Sequence, residues 1–330
     1  MNERIAATLS GAVQLALSPV TLAGYALWAG KSIAHGRHAP ESGTAQGPLS
    51  LRYFQHELGA RRDDAAKALM QVVPGVPSLG VRLVTGPARL AHRLTGHVPS
   101  LFRYPYRGTP SMLHEVAART SFFDAALAPH FDAGDQLVVL GAGFDTRAYR
   151  LPSASPVQCF EVDTPETQAV KRTMLWRAHI DASRVRFVSA DFERDDWLAR
   201  LLDAGFDRAR PAAFLWEGVT MYLERAAVLD TLRKIASVAA GSSVVFDYFT
   251  SEPLTSRSLY MRYARAATRY VGEPMKFGID STPPVERSVA ELIEEAGLSL
   301  REHQTLGSEA NGKRAFGGLA HAVVGERAAR

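Results

Sequence analysis

The residues with the strongest claim to chemistry are Gly141 and Gly143, one residue apart, followed by Asp163, Asp191 and Glu217. Glycine is favoured where backbone must come close to a ligand, because a Cβ would collide with it. Asp163 lies about 20 residues past the glycines, where an acidic side chain can accept hydrogen bonds from ribose hydroxyls. The run Asp163-Thr164-Pro165-Glu166 is also a good helix start, so a capping role stands beside the ribose role. A dinucleotide fingerprint would place a third small residue where this chain has Thr146, and no Gly-Lys-Ser/Thr follows. Pyrophosphate binding and a phosphate-cradling loop are therefore both disfavoured. Cys159 is the only cysteine, which excludes an intrachain disulfide and a thiolate metal cluster. The ten histidines include no His-x3-His pair, and no dedicated metal site is expected.

These residues need elements to hold them, and the pattern supplies them. Leu137–Leu140 is a short apolar run that reads as a strand buried on both faces. Further strands are expected at 157–162, 185–189, 212–216 and 243–248, separated by helices at 165–179, 197–204 and 225–239. Repeated strand–helix units force right-handed crossovers and a mostly parallel sheet. Ligands in such sheets bind outside the carboxyl ends of the strands, and all the residues above fall at those ends. From 250 to 284 the alternation stops in a helical, aromatic-rich segment. A helix at 288–296 and a strand pair at 298–305 and 316–324 close the chain.

The region before residue 111 reads as helical segments and loops. Residues 35–48 look like a linker, and helices over 51–94 are expected to break at 74–77 and at Gly86-Pro87. Ile5 to Gly30 carries no charge, with Arg4 before and Lys31 after. That length could cross a bilayer, but Thr8, Ser10, Gln14, Ser18, Pro19 and Thr21 dilute its hydrophobicity. No cleavage-site pattern follows a basic start, so a signal peptide is not expected. A helix pair broken near Ser18-Pro19 is the favoured reading, with peripheral membrane contact through residues 1–31 left open in an otherwise cytoplasmic protein. The chain has 38 basic and 34 acidic residues, a net charge of +4, and its arginines are scattered. Scattered charge of that kind is solvated surface, and no nucleic-acid partner is expected. Oligomer formation is left open.

The string Val138-Val139-Leu140-Gly141-Ala142-Gly143-Phe144-Asp145-Thr146-Arg147 resembles the signature of the leucine carboxyl methyltransferase family. Matches in register follow at Phe160-Glu161-Val162-Asp163 with Pro165 and Lys171, at Glu217-Gly218-Val219-Thr220-Met221-Tyr222-Leu223, and at Phe246-Asp247-Tyr248. The likeness runs from about Arg119 to Val324. It implies an α/β, class I methyltransferase (Rossmann-like) fold: a mostly parallel seven-stranded sheet binding S-adenosyl-L-methionine, with a helical N-terminal extension (1–110) before the methyltransferase domain (111–330) and a helical lid insertion at 250–285. By the resemblance, Arg119 would pair with the cofactor's carboxylate, and Gly141, Ala142 and Gly143 would pass close to its methionine moiety. Asp163 would hold the ribose. Asp191 would accept from the adenine amino group with Phe192 against the ring, and Glu217 with Gly218 would face the amino end.

The implied reaction is O-methylation of a small-molecule acceptor. A carboxylate, polyketide-like or fatty-acid-like, is preferred because it is already ionised and needs no base. A hydroxyl, or the C-terminal carboxylate of a protein, is the alternative, and a non-catalytic membrane-associated binding protein is a more distant one. No catalytic base is fixed by motif. Tyr104, Tyr106, Arg107, His114, Tyr260, Tyr263 and Phe277 are candidates to shape the acceptor pocket, with ordinary packing as the alternative for each.

Overall fold

The computed structural model describes residues 2–36, 44–270 and 272–325, with the side chains of 33–36 and 260 outside that description. Five helices come first: α1 (Glu3–Ala16), α2 (Ser18–Gly36), α3 (Gln46–Glu57), α4 (Asp64–Met70) and α5 (Ser78–Thr95). Then follow α6 (Glu115–Ala133), β1 (Gln136–Leu140), β2 (Cys159–Asp163), α7 (Pro165–Arg177), β3 (Val185–Ser189), α8 (Trp197–Asp203), β4 (Ala212–Trp216), α9 (Arg225–Ala236) and β5 (Ser243–Phe249). The chain continues through α10 (Ser251–Thr255), α11 (Leu259–Tyr270), α12 (Val285–Glu295), β6 (Ser299–Leu306) and β7 (Gly317–Val323).

The strands form one seven-stranded sheet in the order β3-β2-β1-β4-β5-β7-β6. The first five are parallel, and β7 enters antiparallel between β5 and β6. This is the mostly parallel seven-stranded sheet that the resemblance implies. The order reverses between β1 and β4, so the crevice at the carboxyl ends opens beside the Gly141–Gly143 turn. Every residue of β1 and of β4 is buried, which is why Leu137–Leu140 and all of β4 read as apolar runs.

Helices cover both faces. One apolar layer packs Trp197, Leu201, Leu232, Ile235, Val289 and Ile293 against Phe160, Phe214 and Phe246. The other packs Phe123 and Leu127 against Leu137, Val139 and Leu215. A third cluster joins α3, α4 and α5 to Phe144, Met174 and Leu175, so the N-terminal helices share core with the sheet.

Two expectations from the sequence are corrected. Gly86-Pro87 does not break a helix: Pro87 lies inside α5, as Pro129 lies inside α6. Proline costs a helix one hydrogen bond, and an α5 packed by α1 and α2 absorbs that loss. The expected linker of 35–48 ends early, because α3 already starts at Gln46; residues 37–43 of it lie outside the described residues.

At the amino ends of the strands, His130 Nδ1 meets Asp135 Oδ2 at 2.7 Å and its Nε2 meets Ser243 Oγ at 2.7 Å. The order is that of a hydrolytic triad, but Ser243 is 1% exposed, beyond the reach of an acyl substrate. The chain straps α6 to β5. Nearby on β7, His321 is buried with no hydrogen-bond partner for Nε2, and burial pushes its pKa down to about 4. The folded value lies below the unfolded value of 6.5, so the unfolded chain takes up the proton first. Stability is full above that pH and falls as pH drops toward 4, by about 3 kcal/mol over the interval. His321→Leu should flatten this part of the unfolding free-energy profile; an unchanged slope would remove His321 as its cause.

Candidate active site

The crevice at the strand ends is a cavity of about 360 Å³. Gly141, Ala142, Gly143, Asp163, Asp191, Phe192, Glu217, Gly218 and Arg119 all line it, so the structure brings together every cofactor-site residue singled out from sequence. Gly141 holds φ +63°, and a Cβ there would stand 2.3 Å from Val219 Cγ2. Gly143 holds φ +40°, with Ala45 Cβ at 3.1 Å from where its own Cβ would be. The two glycines therefore answer first to close protein neighbours, one of them from the N-terminal helices. Beneath the turn, Lys171 pairs with Glu161 at 2.7 Å in full burial and points its ammonium at the Ala142 carbonyl.

Asp163 closes the turn from the side. Its Oδ2 accepts from the Gly143 N–H at 2.6 Å and its Oδ1 from the Thr164 N–H at 2.7 Å. Burial raises its pKa above the usual carboxylate range, and the two N–H groups partly offset this. The capping alternative is not what forms: Thr164 is the N-cap of α7 and makes no side-chain cap. Asp191 is partly exposed and accepts from the Glu193 N–H, with Phe192 between it and the buried Trp197 and Trp216.

Below these groups lies a buried ionic cluster. Glu217 Oε2 meets Arg52 Nη2 at 2.7 Å and Arg147 Nη1 at 2.6 Å. Its Oε1 lies 3.2 Å from Arg119 Nε yet has no hydrogen-bond partner. Arg119 in turn pairs with Glu115 at 2.8 Å and Asp247 at 2.7 Å. Arg147 also bonds Asp145, and reaches Asp124 at 2.7 Å, which pairs further with Arg61 at 2.8 Å. The guanidinium groups hold Asp124, Asp145 and Glu217 below the usual carboxylate range against the opposing cost of burial. Burial moves Glu115 the other way, upward, with Arg119 offsetting part of the shift.

Several cavity and cluster residues were missed from sequence. Arg52, from α3, lines the cavity and carried no motif; its one signal is a lone arginine among Leu49, Leu51, Tyr53 and Phe54. Asp145 and Arg147 sat inside the quoted signature without a role. Thr44, Pro48, Tyr222 and Glu273 also line the cavity, and Glu273 accepts from the Thr44 N–H at 3.3 Å, bringing the segment after α11 against the one before α3.

The acceptor-pocket candidates go elsewhere. Tyr104 donates to Asp124 at 3.1 Å, and Tyr106 and His114 pack on each other. Arg107 and Tyr263 are exposed, and Phe277 is in the core. None of these six lines the cavity. The Tyr260 side chain lies outside the described residues.

A family model described as leucine carboxyl methyltransferase matches residues 91–236, a span that includes Arg119, the glycine turn, Asp163, Asp191 and Glu217. Over that span the chain is similar to the leucine carboxyl methyltransferase family. A Mycolicibacterium smegmatis protein provisionally named a S-adenosyl-L-methionine-dependent methyltransferase is 36% identical over 177 residues, 51% of this chain and 54% of that protein. One of the same name from a Mycobacterium species is 47% identical over 162 residues, 48% of this chain and 53% of its own. The chain thus spans about half the length of the curated relatives it matches. A solved Bordetella parapertussis structure, described as a possible exported protein, covers 86% of this chain and 97% of its own at 17% identity, with a TM-score of 0.45. Within the family region, the cavity's chemistry fits the cofactor named in those relatives. Glu217 lines the cavity and its buried Oε1, ion-paired with Arg119, makes no hydrogen bond and keeps lone pairs that suit an ammonium, and Asp163 retains lone pairs for a diol.

The cluster makes a firm demand on Arg52. Replacing it with Met would leave Asp145 and Glu217 each short of a buried partner, a loss that typically costs ~3–5 kcal/mol. Denaturant unfolding of Arg52→Met should show a drop of that size. A loss under about 1 kcal/mol would show that Arg52 is peripheral to the cluster.

Proposed function

We propose that this chain is an S-adenosyl-L-methionine-dependent O-methyltransferase acting on a small molecule. The observation that carries the reading is the charge of the cavity. Two arginines, Arg52 and Arg119, face six carboxylates, those of Glu115, Asp145, Asp163, Asp191, Glu217 and Glu273, in a protein whose overall charge is +4. The lining residues carry a formal surplus of four negative charges, three once Arg147, paired with Asp145 and Glu217, is counted; such a crevice suits a ligand with a sulfonium and an ammonium, and repels a pyrophosphate. Bound there, the cofactor supplies an electrophilic methyl group for in-line displacement.

The chain's own residues then have positioning work. Asp163 holds a diol and fixes the turn, Asp191 with Phe192 meets the purine, and Oε1 of Glu217 anchors the ammonium. Alignment of donor and acceptor is where most of the rate comes from in such a transfer. The preferred acceptor is a carboxylate, because the lining contains no His, Lys or Cys to serve as a base near neutral pH. A hydroxyl acceptor is the second reading. The acidic lining favours it, since Glu115, its pKa raised by burial, is able to take a proton and the same surplus of negative charge opposes an anionic acceptor.

Calorimetric titration with S-adenosyl-L-homocysteine should show binding that Asp163→Ala weakens by ~2–3 kcal/mol. A folded sample with no binding would sink the reading. With labelled cofactor, a carboxylate acceptor should give a base-labile product and a rate flat above the acceptor's own pKa. A hydroxyl acceptor should give a base-stable product and a rate rising with pH.

A further inference from the structure

The uncharged start of the chain folds into a form that the methyl-transfer reading does not use. α2 carries no charge between Ser18 and Gly30, yet Leu22 is 66%, Tyr25 52% and Leu27 46% exposed. Only a narrow strip of the helix is covered. There Gly24 sits directly on α5, where a Cβ would stand 2.8 Å from Leu83 Cβ and from the Val84 nitrogen. Gly80 of α5 packs back against the Gly24 carbonyl and the Trp28 nitrogen. A helix apolar all round normally lies in a protein core or in lipid. Here most of its circumference faces outward.

The neighbouring helices extend the same surface. α1 exposes Ile5, Leu9 and Leu15, and α5 exposes Leu79, Leu90 and Leu94, which helical spacing puts on one stripe. Arg82 and Arg93 border that stripe and are exposed, as are Arg4 and Lys31 at the two ends of the uncharged segment. Across α1, α2 and α5 the one acidic residue is Glu3, and it is already paired with Arg103 at 2.7 Å.

We infer that this face docks in the plane of an anionic lipid surface, with the apolar side chains at the acyl boundary and the cationic rim on the headgroups. Apolar residues edged by Lys and Arg are the chemistry of interfacial helices. Among the described residues no single helix is long and apolar enough to cross a membrane; α1 and α2 reach that length only together, across a 63° bend, and the cationic residues beside their exposed apolar face suit an in-plane position better than a span. A second copy fits less well. A two-fold contact would bring the cationic rim against itself with no free acid to pair it.

Vesicle co-sedimentation of the full chain tests this, using phosphatidylcholine alone and phosphatidylcholine with about a quarter phosphatidylglycerol. The protein should pellet with the anionic vesicles, less so as salt rises. The double substitution Leu15→Glu with Leu22→Glu, at exposed positions, should cut partitioning by about ten-fold or more. Arg82→Glu with Arg93→Glu should lower binding to anionic vesicles only, with thermal melting of both variants unchanged. No sedimentation with anionic vesicles, or binding that survives both pairs of changes, would overturn the inference. A dimer split by the leucine substitutions, with vesicles left bare, would also overturn it and assign the face to a second copy. None of these outcomes depends on whether the cavity binds a methyl donor.

Discussion

Glu217 stands at the end of β4 with three guanidinium groups around it, and the rest of the site is arranged by that contact. Each arginine comes from a different part of the chain: Arg52 from α3, Arg119 from α6 and Arg147 from the turn after β1. Charges so deeply buried are stable only when each meets an opposite one, and a missing partner leaves an expensive orphan. Three elements must therefore arrive in register before the crevice exists. The same demand runs outward through Asp124 and Arg61 to Asp63, which also accepts from Thr146 beside the glycine turn.

This cluster explains why the helices before residue 100 are part of the site. Arg52 reaches the cavity itself, Ala45 fills the space left by the missing Cβ of Gly143, and Thr44 meets Glu273 across the opening. The cluster also sets the local field. Arginines saturated by carboxylates leave the remaining acids to dominate, so a protein of positive net charge has a negative crevice.

Much of this was legible in the sequence. β1 and β4 show as nearly unbroken apolar runs because both their faces are covered, and the ends of the five parallel strands mark the crevice in any doubly wound sheet. Asp163, Asp191 and Glu217 could be found for that reason alone. Arg52 could not, because its role depends on a fold-back of α3 that no local pattern encodes. The aromatic and basic residues near 104–114 misled for the opposite reason: residue types suited to a pocket are equally suited to packing, and Tyr104 is held by Asp124 in the structural network. Pro87 misled because local propensity yields to tertiary packing in α5.

The strand-end crevice should hold a sulfonium cofactor with its ribose at Asp163 and its amino end at Glu217. A crystal structure of the protein with S-adenosyl-L-homocysteine tests it most directly. The ribose diol should lie on Asp163, the purine against Phe192 near Asp191, and the ammonium on Glu217 Oε1, the oxygen that makes no hydrogen bond. Ligand density elsewhere, or in this crevice with its amino end turned away from Glu217, would contradict it.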